Sequence, residues 1–208
     1  MKPNTALLVL IGLVALAVGI FAGSRLGGKG PAPAIQGATF AEPQAIPEFR
    51  LVDHNGVPLT SNRLQGKWTF IYFGYTFCPD VCPTTLQSLG AMQRQLSEDD
   101  ADSGTEYLFI SVDPDRDTTD RLAQYTPFFG DRFVGATGSD ESLLALTSSL
   151  GVIYAKVEGD DPDNYLVDHT SSVLLVNPKG ELQAVMSAPH TPAQLARDFL
   201  SIREYYGG

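Results

Sequence analysis

The chain has two cysteines in 208 residues, Cys78 and Cys82, and only three histidines. Two cysteines exclude a disulfide-dense scaffold, and a zinc site of four thiolates cannot be built from a single chain. Whatever Cys78 and Cys82 do, they do as a pair. Basic charge is also short, with 14 Lys plus Arg against 24 Asp plus Glu and a net charge of −10. The shortage is uneven: residues 1–29 hold Lys2, Arg25 and Lys29 and no acid, so all of the acidic excess lies beyond them. A protein that binds by neutralising many phosphates needs the opposite balance, and no nucleic acid partner is expected. The length suits one ordinary domain with some chain to spare and leaves no room for a multidomain enzyme. What is present is apolar material, 43% hydrophobic and 10% aromatic with only 18% charged, enough for a buried core.

One long uncharged run stands at the front. From Ala6 to Ala22 the sequence ALLVLIGLVALAVGIFA carries no charge or strongly polar side chain. As a helix it would rise about 25 Å, at the short end of what spans a ~30 Å hydrocarbon core. It lacks the polar face of a helix packed on a globular core. A cleaved signal peptide is the competing reading, but its apolar region is typically about 7 to 15 residues, shorter than this run. The expectation is therefore an uncleaved single-pass anchor over residues 1–25. Either reading sends the rest of the chain through the export machinery. Lys2 on one side and Arg25 and Lys29 on the other leave the orientation undecided by charge. Residues 26–47, with GGKGPAPAIQGA at their front, read as a tether, and residues 48–208 as the globular domain.

Within that domain the two periodicities alternate. Trp68 to Tyr75 (WTFIYFGY) and Glu106 to Val112 (EYLFISV) are continuous apolar runs suited to central strands covered on both faces. Between them Pro83 to Leu96 places Leu86, Leu89, Met92 and Leu96 on one helical face. Thr118 to Phe128 reads as a helix, Phe133 to Ala136 as a short strand, and Ser139-Asp140-Glu141 as the capped start of a helix that Gly151 closes. Val152 to Val157 and Ser172 to Val176 read as strands, the latter joined through the turn Asn177-Pro-Lys-Gly180 to Glu181–Ser187. Thr191-Pro192-Ala193-Gln194 opens the last helix. A βαβ core followed by a hairpin and a terminal helix is a thioredoxin-like α/β order, a central β-sheet flanked by helices.

The chemistry concentrates at Phe77-Cys78-Pro79-Asp80-Val81-Cys82-Pro83, after a buried strand and at the mouth of a helix. Residues before proline avoid the helical region, so Cys82 is expected as the N-cap with Pro83 as the first helical residue. That placement sets both sulfurs near the positive end of the helix dipole, which favours thiolate. Two thiolates are soft ligands suited to Cu(I) or zinc, and they leave a metal one or two ligands short. Among the histidines, His54 precedes the turn Asn55-Gly56 and reads as an exposed turn residue. His190 lies just before the last helix and reads as a packing or capping residue. His169, in Val167-Asp168-His169-Thr170 at the entrance to the hairpin, is the candidate third ligand, its ring oriented by Asp168 or a backbone carbonyl.

Three motifs in order then carry a family resemblance: FGYTF-CPDVCP, then Val112-Asp113-Pro114-Asp115-Arg116-Asp117-Thr118, then Val167-Asp168-His169-Thr170 followed by the NPKG turn. Together they resemble the Sco/SenC family of copper-binding thioredoxin-fold proteins over roughly Glu48 to Arg203. The resemblance implies copper, Cu(I) and/or Cu(II), one per chain, on Cys78, Cys82 and His169. It implies a single-pass inner-membrane protein whose C-terminal domain lies in the periplasm. Its task would be to deliver copper to, or keep reduced the cysteines of, the dinuclear copper centre of cytochrome c oxidase subunit II. Partners would be that subunit or another copper chaperone, and a thiol reductant. Asp113, Arg116 and Asp117 match a family motif but read equally as a charged loop and cap for the next helix. A thiol–disulfide oxidoreductase using Cys78 and Cys82 as a redox pair is the enzymatic alternative, although CxxC is its commoner spacing. A thiol peroxidase is the other, with Thr76 two residues before Cys78 where three are expected.

Overall fold

The computed structural model describes residues 5–26, 30–98, 101–157 and 165–207. The chain separates into two compact units, Met1–Ala32 and Pro33–Gly208. The first contains helix α1 (Thr5–Leu26). Its large apolar side chains from Leu8 to Val18 are each more than half exposed. Among the described residues no helix is long and apolar enough to cross a membrane. The membrane helix expected over residues 1–25 is thus not shown.

The second unit is built on an eight-stranded sheet in the order β1 (Gly37–Ala45), β10 (Glu181–Met186), β9 (Val173–Val176), β4 (Trp68–Gly74), β5 (Thr105–Ser111), β6 (Phe133–Thr137), β2 (Arg50–Asp53), β3 (Pro58–Thr60). Its centre is β4 (Trp68–Gly74) and β5 (Thr105–Ser111), parallel and buried at all seven positions each, as continuous apolar runs require. β6 (Phe133–Thr137) extends the parallel part, and β9 (Val173–Val176) and β10 (Glu181–Met186) add an antiparallel hairpin on the other side of β4. Asn177 closes that hairpin by accepting the Gly180 N–H at 2.9 Å, with Gly180 at φ 80° where a side chain would be strained. Helix α2 (Val81–Glu98) connects β4 to β5 and buries Leu86, Leu89, Met92 and Leu96. It packs on α5 (Pro192–Tyr206), which Thr191 caps by accepting from the Gln194 N–H. α3 (Thr119–Tyr125) and α4 (Asp140–Ser149) are capped in the same way by Thr118 and Ser139. This is the thioredoxin-like α/β arrangement expected.

Two differences matter. The stretch read as a tether over 26–47 contains strand β1 (Gly37–Ala45), which pairs antiparallel with β10 at the edge of the sheet. Glycine and proline disguised it. Gly37 lets the backbone approach so closely that a Cβ there would lie 2.0 Å from the Val185 carbonyl oxygen. Pro43 falls where the register slips between Thr39 and Gln44, at an edge that tolerates a missing N–H. The second difference is that β7 (Tyr154–Val157) pairs not with the sheet but with β8 (Leu166–His169), forming a separate two-stranded ribbon. Near the other edge, β2 (Arg50–Asp53) and β3 (Pro58–Thr60) form the hairpin expected at Asn55-Gly56.

Candidate metal centre

Strand β4 delivers the chain to the site, and Gly74 at its end is needed there. A Cβ on Gly74 would lie 2.8 Å from Cys82 Sγ and 3.0 Å from the Phe109 ring. The chain then turns, with the Cys78 N–H donating to the Tyr75 carbonyl at 3.3 Å, and enters α2 at Val81. Helix α2 therefore starts two residues before Pro83, and Cys82 lies inside its first turn, not at the N-cap. Pro83 is tolerated because first-turn N–H groups have no partner within the helix. The Cys82 N–H instead points at Cys78 Sγ, 3.4 Å away.

From the opposite side, β8 ends on His169, whose Nε2 lies 3.1 Å from Cys82 Sγ. Its Nδ1 lies 3.1 Å from the Thr170 carbonyl oxygen, the backbone orienter foreseen as the alternative to Asp168. A carbonyl only accepts, so Nδ1 carries the proton and Nε2 presents its lone pair to the sulfurs, the tautomer a metal requires. The ligand atoms of Cys78, Cys82 and His169 all lie within 4.8 Å of one another. Cys78 and His169 line an open cleft of about 260 Å³, together with Tyr75, Asp80, Val81 and Val167, while Cys82 is fully buried and is not on its wall. The donor set fits a soft or borderline ion at low coordination number.

Burial decides the protonation of the metal-free site. Cys82 is fully buried, and the loss of water pushes its thiol well above the ordinary range. The thiolate expected from the helix dipole is thus not the resting form of Cys82, because desolvation outweighs a helix terminus. The same burial lowers the His169 imidazole, against opposing pulls from the Thr170 carbonyl and Asp168. Tyr72, also fully buried, sets its ring edge-on to His169 at 5.9 Å.

The other histidines are structural. His54 is half-buried and not the exposed turn residue expected: its Nδ1 accepts the Gly135 N–H at 3.0 Å. His190 packs as anticipated, with Nε2 2.8 Å from the Ser171 carbonyl and its own carbonyl accepting from Ser88 Oγ at 3.0 Å. Asp113, Arg116 and Asp117 do not cap α3, which is Thr118's task; they bond to the segments carrying Cys78 and His169. Tyr72 and Tyr165 near the site had no signal in spacing. Only the register of β4 and the pairing of β8 reveal them.

A thioredoxin-like sheet whose βαβ crossover opens on two cysteines, completed by a histidine from a separate ribbon, defines a thiol-based metal or redox protein. The relatives narrow that class. The SCO1/SenC family model matches residues 38–204, and the chain belongs to that family. An SCO2-like protein of Rickettsia conorii is 38% identical over 135 residues, covering 64% of this chain and 65% of that protein. The mitochondrial SCO2 homologue of Bos taurus is 38% identical over 133 residues, covering 64% of this chain and 50% of its own length. The chain thus spans less than two thirds of these relatives. Among solved structures, Arabidopsis thaliana ScoI with copper bound superposes with a TM-score of 0.72 at 36% identity, covering 77% of this chain and 100% of that one. Bradyrhizobium japonicum ScoI with copper bound gives 0.68 at 32% identity, covering 77% and 99%.

Proposed function

We propose that the protein is a membrane-tethered copper chaperone that holds one copper ion per chain, Cu(I) and/or Cu(II), on Cys78, Cys82 and His169. In this reading it passes the ion to the dinuclear copper centre of cytochrome c oxidase subunit II. The observation that carries the reading is the convergence of two thiols and one imidazole within 4.8 Å at an open cleft. Family membership and the copper bound to the Arabidopsis and Bradyrhizobium proteins support the choice of metal. The exposed apolar α1 supports the tether, with the C-terminal domain placed in the periplasm and the pair kept reduced there by a thiol donor.

The chain's residues suit transfer. Loading would release the thiol protons of Cys78 and Cys82 to water, while His169 keeps its Nδ1 proton, donated to the Thr170 carbonyl, and offers Nε2 to the ion. Three protein ligands leave a coordination position on the cleft side, so an acceptor thiolate can bind before a donor one departs and no free ion is formed. The reduced full chain is expected to take up one copper per chain. Cys82→Ser should weaken Cu(I) binding by more than about a hundredfold, measured by chelator competition. Wild-type Cu(I) affinity in Cys82→Ser, or wild-type Cu(II) affinity in His169→Ala, would disprove the assignment.

One observation keeps a thiol–disulfide oxidoreductase as the second reading: the Cys78 and Cys82 sulfurs are close enough for a modest movement to join them. Against it, Cys82 is buried and neutral, and His169 is left without a task. Rapid disulfide turnover by metal-free protein, unaffected by His169→Ala, would favour it. The thiol peroxidase reading loses its hydroxyl, because Thr76 Oγ1 donates to Asp117 Oδ1 at 2.6 Å.

A further inference from the structure

The ribbon that carries His169 is paired with nothing in the main sheet, and a two-stranded ribbon is marginal by itself in water. Of its eight residues only Val167 is buried. Holding Nε2 3.1 Å from Cys82 therefore needs another attachment. The segment after β5 supplies it. Arg116 Nε donates to Asp113 Oδ2 at 2.6 Å and Nη1 to the Tyr165 carbonyl at 3.0 Å, while the Tyr165 hydroxyl donates to Asp113 Oδ1 at 2.5 Å. The guanidinium lies 3.6 Å from the centre of the Tyr165 ring and 4.8 Å from that of Phe77, the residue before Cys78. Next to it, Asp115 pairs with Lys156 of β7 at 2.5 Å. One residue past Arg116, Asp117 accepts from the Thr76 N–H at 2.8 Å and from the Thr76 and Ser111 hydroxyls at 2.6 Å. The same short segment thus grips Tyr165, just before β8 and four residues before His169, and the loop two residues before Cys78.

We propose that Asp113, Arg116 and Tyr165 form a positioning clamp that holds His169 against the cysteine pair, so that Arg116 acts on the metal only through His169. The inference rests on the assignment of Cys78, Cys82 and His169 as copper ligands and adds what sets their geometry. Arginine suits the position because its planar fork bonds and stacks at once; lysine offers the charge without the fork. Burial fits a structural part: Arg116 is 13% exposed and Asp113 not at all.

The test uses the full chain with Arg116→Ala, Arg116→Lys and Tyr165→Phe, each alone and combined with His169→Ala. In metal-free protein, Arg116→Ala is expected to speed amide hydrogen exchange at residues 166–169 and leave β4 and β5 unchanged. With Cu(II), Arg116→Ala and Arg116→Lys should each lose at least about tenfold in affinity and alter the thiolate-to-copper absorption as His169→Ala does. Cu(I), for which two thiolates suffice, should stay within about threefold. Added to His169→Ala, neither change should cost more. Unchanged Cu(II) binding in Arg116→Ala, full rescue by lysine, or losses that add to those of His169→Ala would overturn the clamp. A wild-type chain that binds no copper would instead overturn the ligand assignment, and the exchange measurement alone would then decide the clamp. If Arg116→Ala does not fold, Tyr165→Phe, which deletes one hydroxyl, carries the same comparisons.

Discussion

Burial pushes His169 and Cys82 in opposite directions on the pH scale with the same result, because both are held uncharged before metal arrives. For Cys82 the consequence is that copper must displace a proton, so loading weakens as pH falls. For His169 the consequence reaches stability. Its ordinary value is 6.5, and the fold lowers it. Between 6.5 and the lowered value the unfolded chain binds the proton that the folded chain refuses, so stability in that window rises with pH. The contribution is whole above 6.5 and shrinks as pH drops towards the folded value. Metal-free protein unfolded in urea is therefore expected to be less stable at about pH 5.5 than at about pH 7.5, with part of the difference abolished by His169→Gln. An identical difference in the two proteins would mean that His169 is not held neutral. The two cysteines and three histidines were legible as a short list, and Val167-Asp168-His169-Thr170 stood out among them. The state of Cys82 was not legible, because it depends on Gly74, Tyr72 and Phe109 closing around the sulfur, and β4 and β5 bring these together from distant positions.

Elements were readable where one period dominated. The uninterrupted apolar runs of β4 and β5 and the 86-89-92-96 face of α2 identified the central βαβ unit, and caps located the starts of α3, α4 and α5. Edge elements failed for the converse reason. β1 is exposed or half-buried throughout, with no two-residue period, and is interrupted by proline, so its composition is that of a linker. β8 is four residues with one buried side chain, too short to show a period. The position of β1 yields a prediction. Besides pairing with β10, its flank is tied in by Gln36, whose N–H donates to Asp198 at 3.1 Å and whose side chain reaches the Ser187 and Pro189 carbonyls. A chain beginning at Glu48 loses all of this and bares the β10 edge for pairing with other chains. Relative to one beginning at Pro33, it should melt at least about 5 °C lower and show concentration-dependent association. Equal melting temperatures by calorimetry would mean that the 26–47 stretch is a tether after all.

Across the whole molecule, charge and apolar surface are segregated, and the segregation has a physical consequence. The acidic excess lies entirely beyond residue 29, so the Pro33–Gly208 unit gains nothing electrostatically from an anionic bilayer and is repelled by it. Under the proposed function, membrane attachment is expected of α1, whose described large apolar side chains are exposed. Such attachment is hydrophobic and insensitive to salt, whereas attachment through Lys2, Arg25 and Lys29 would be screened within about 10 Å at 0.1 M salt. Flotation with vesicles of phosphatidylcholine containing a fraction of anionic phosphatidylserine separates the cases. The full chain is expected to float and to stay with the vesicles at about 0.5 M salt. A chain beginning at Pro33 is expected to remain in the dense fraction with its copper stoichiometry unchanged. Loss of the full chain from the vesicles at high salt would assign attachment to the basic residues, and failure of both chains to float would remove the anchor from the proposed function while leaving the Cys78, Cys82 and His169 centre standing.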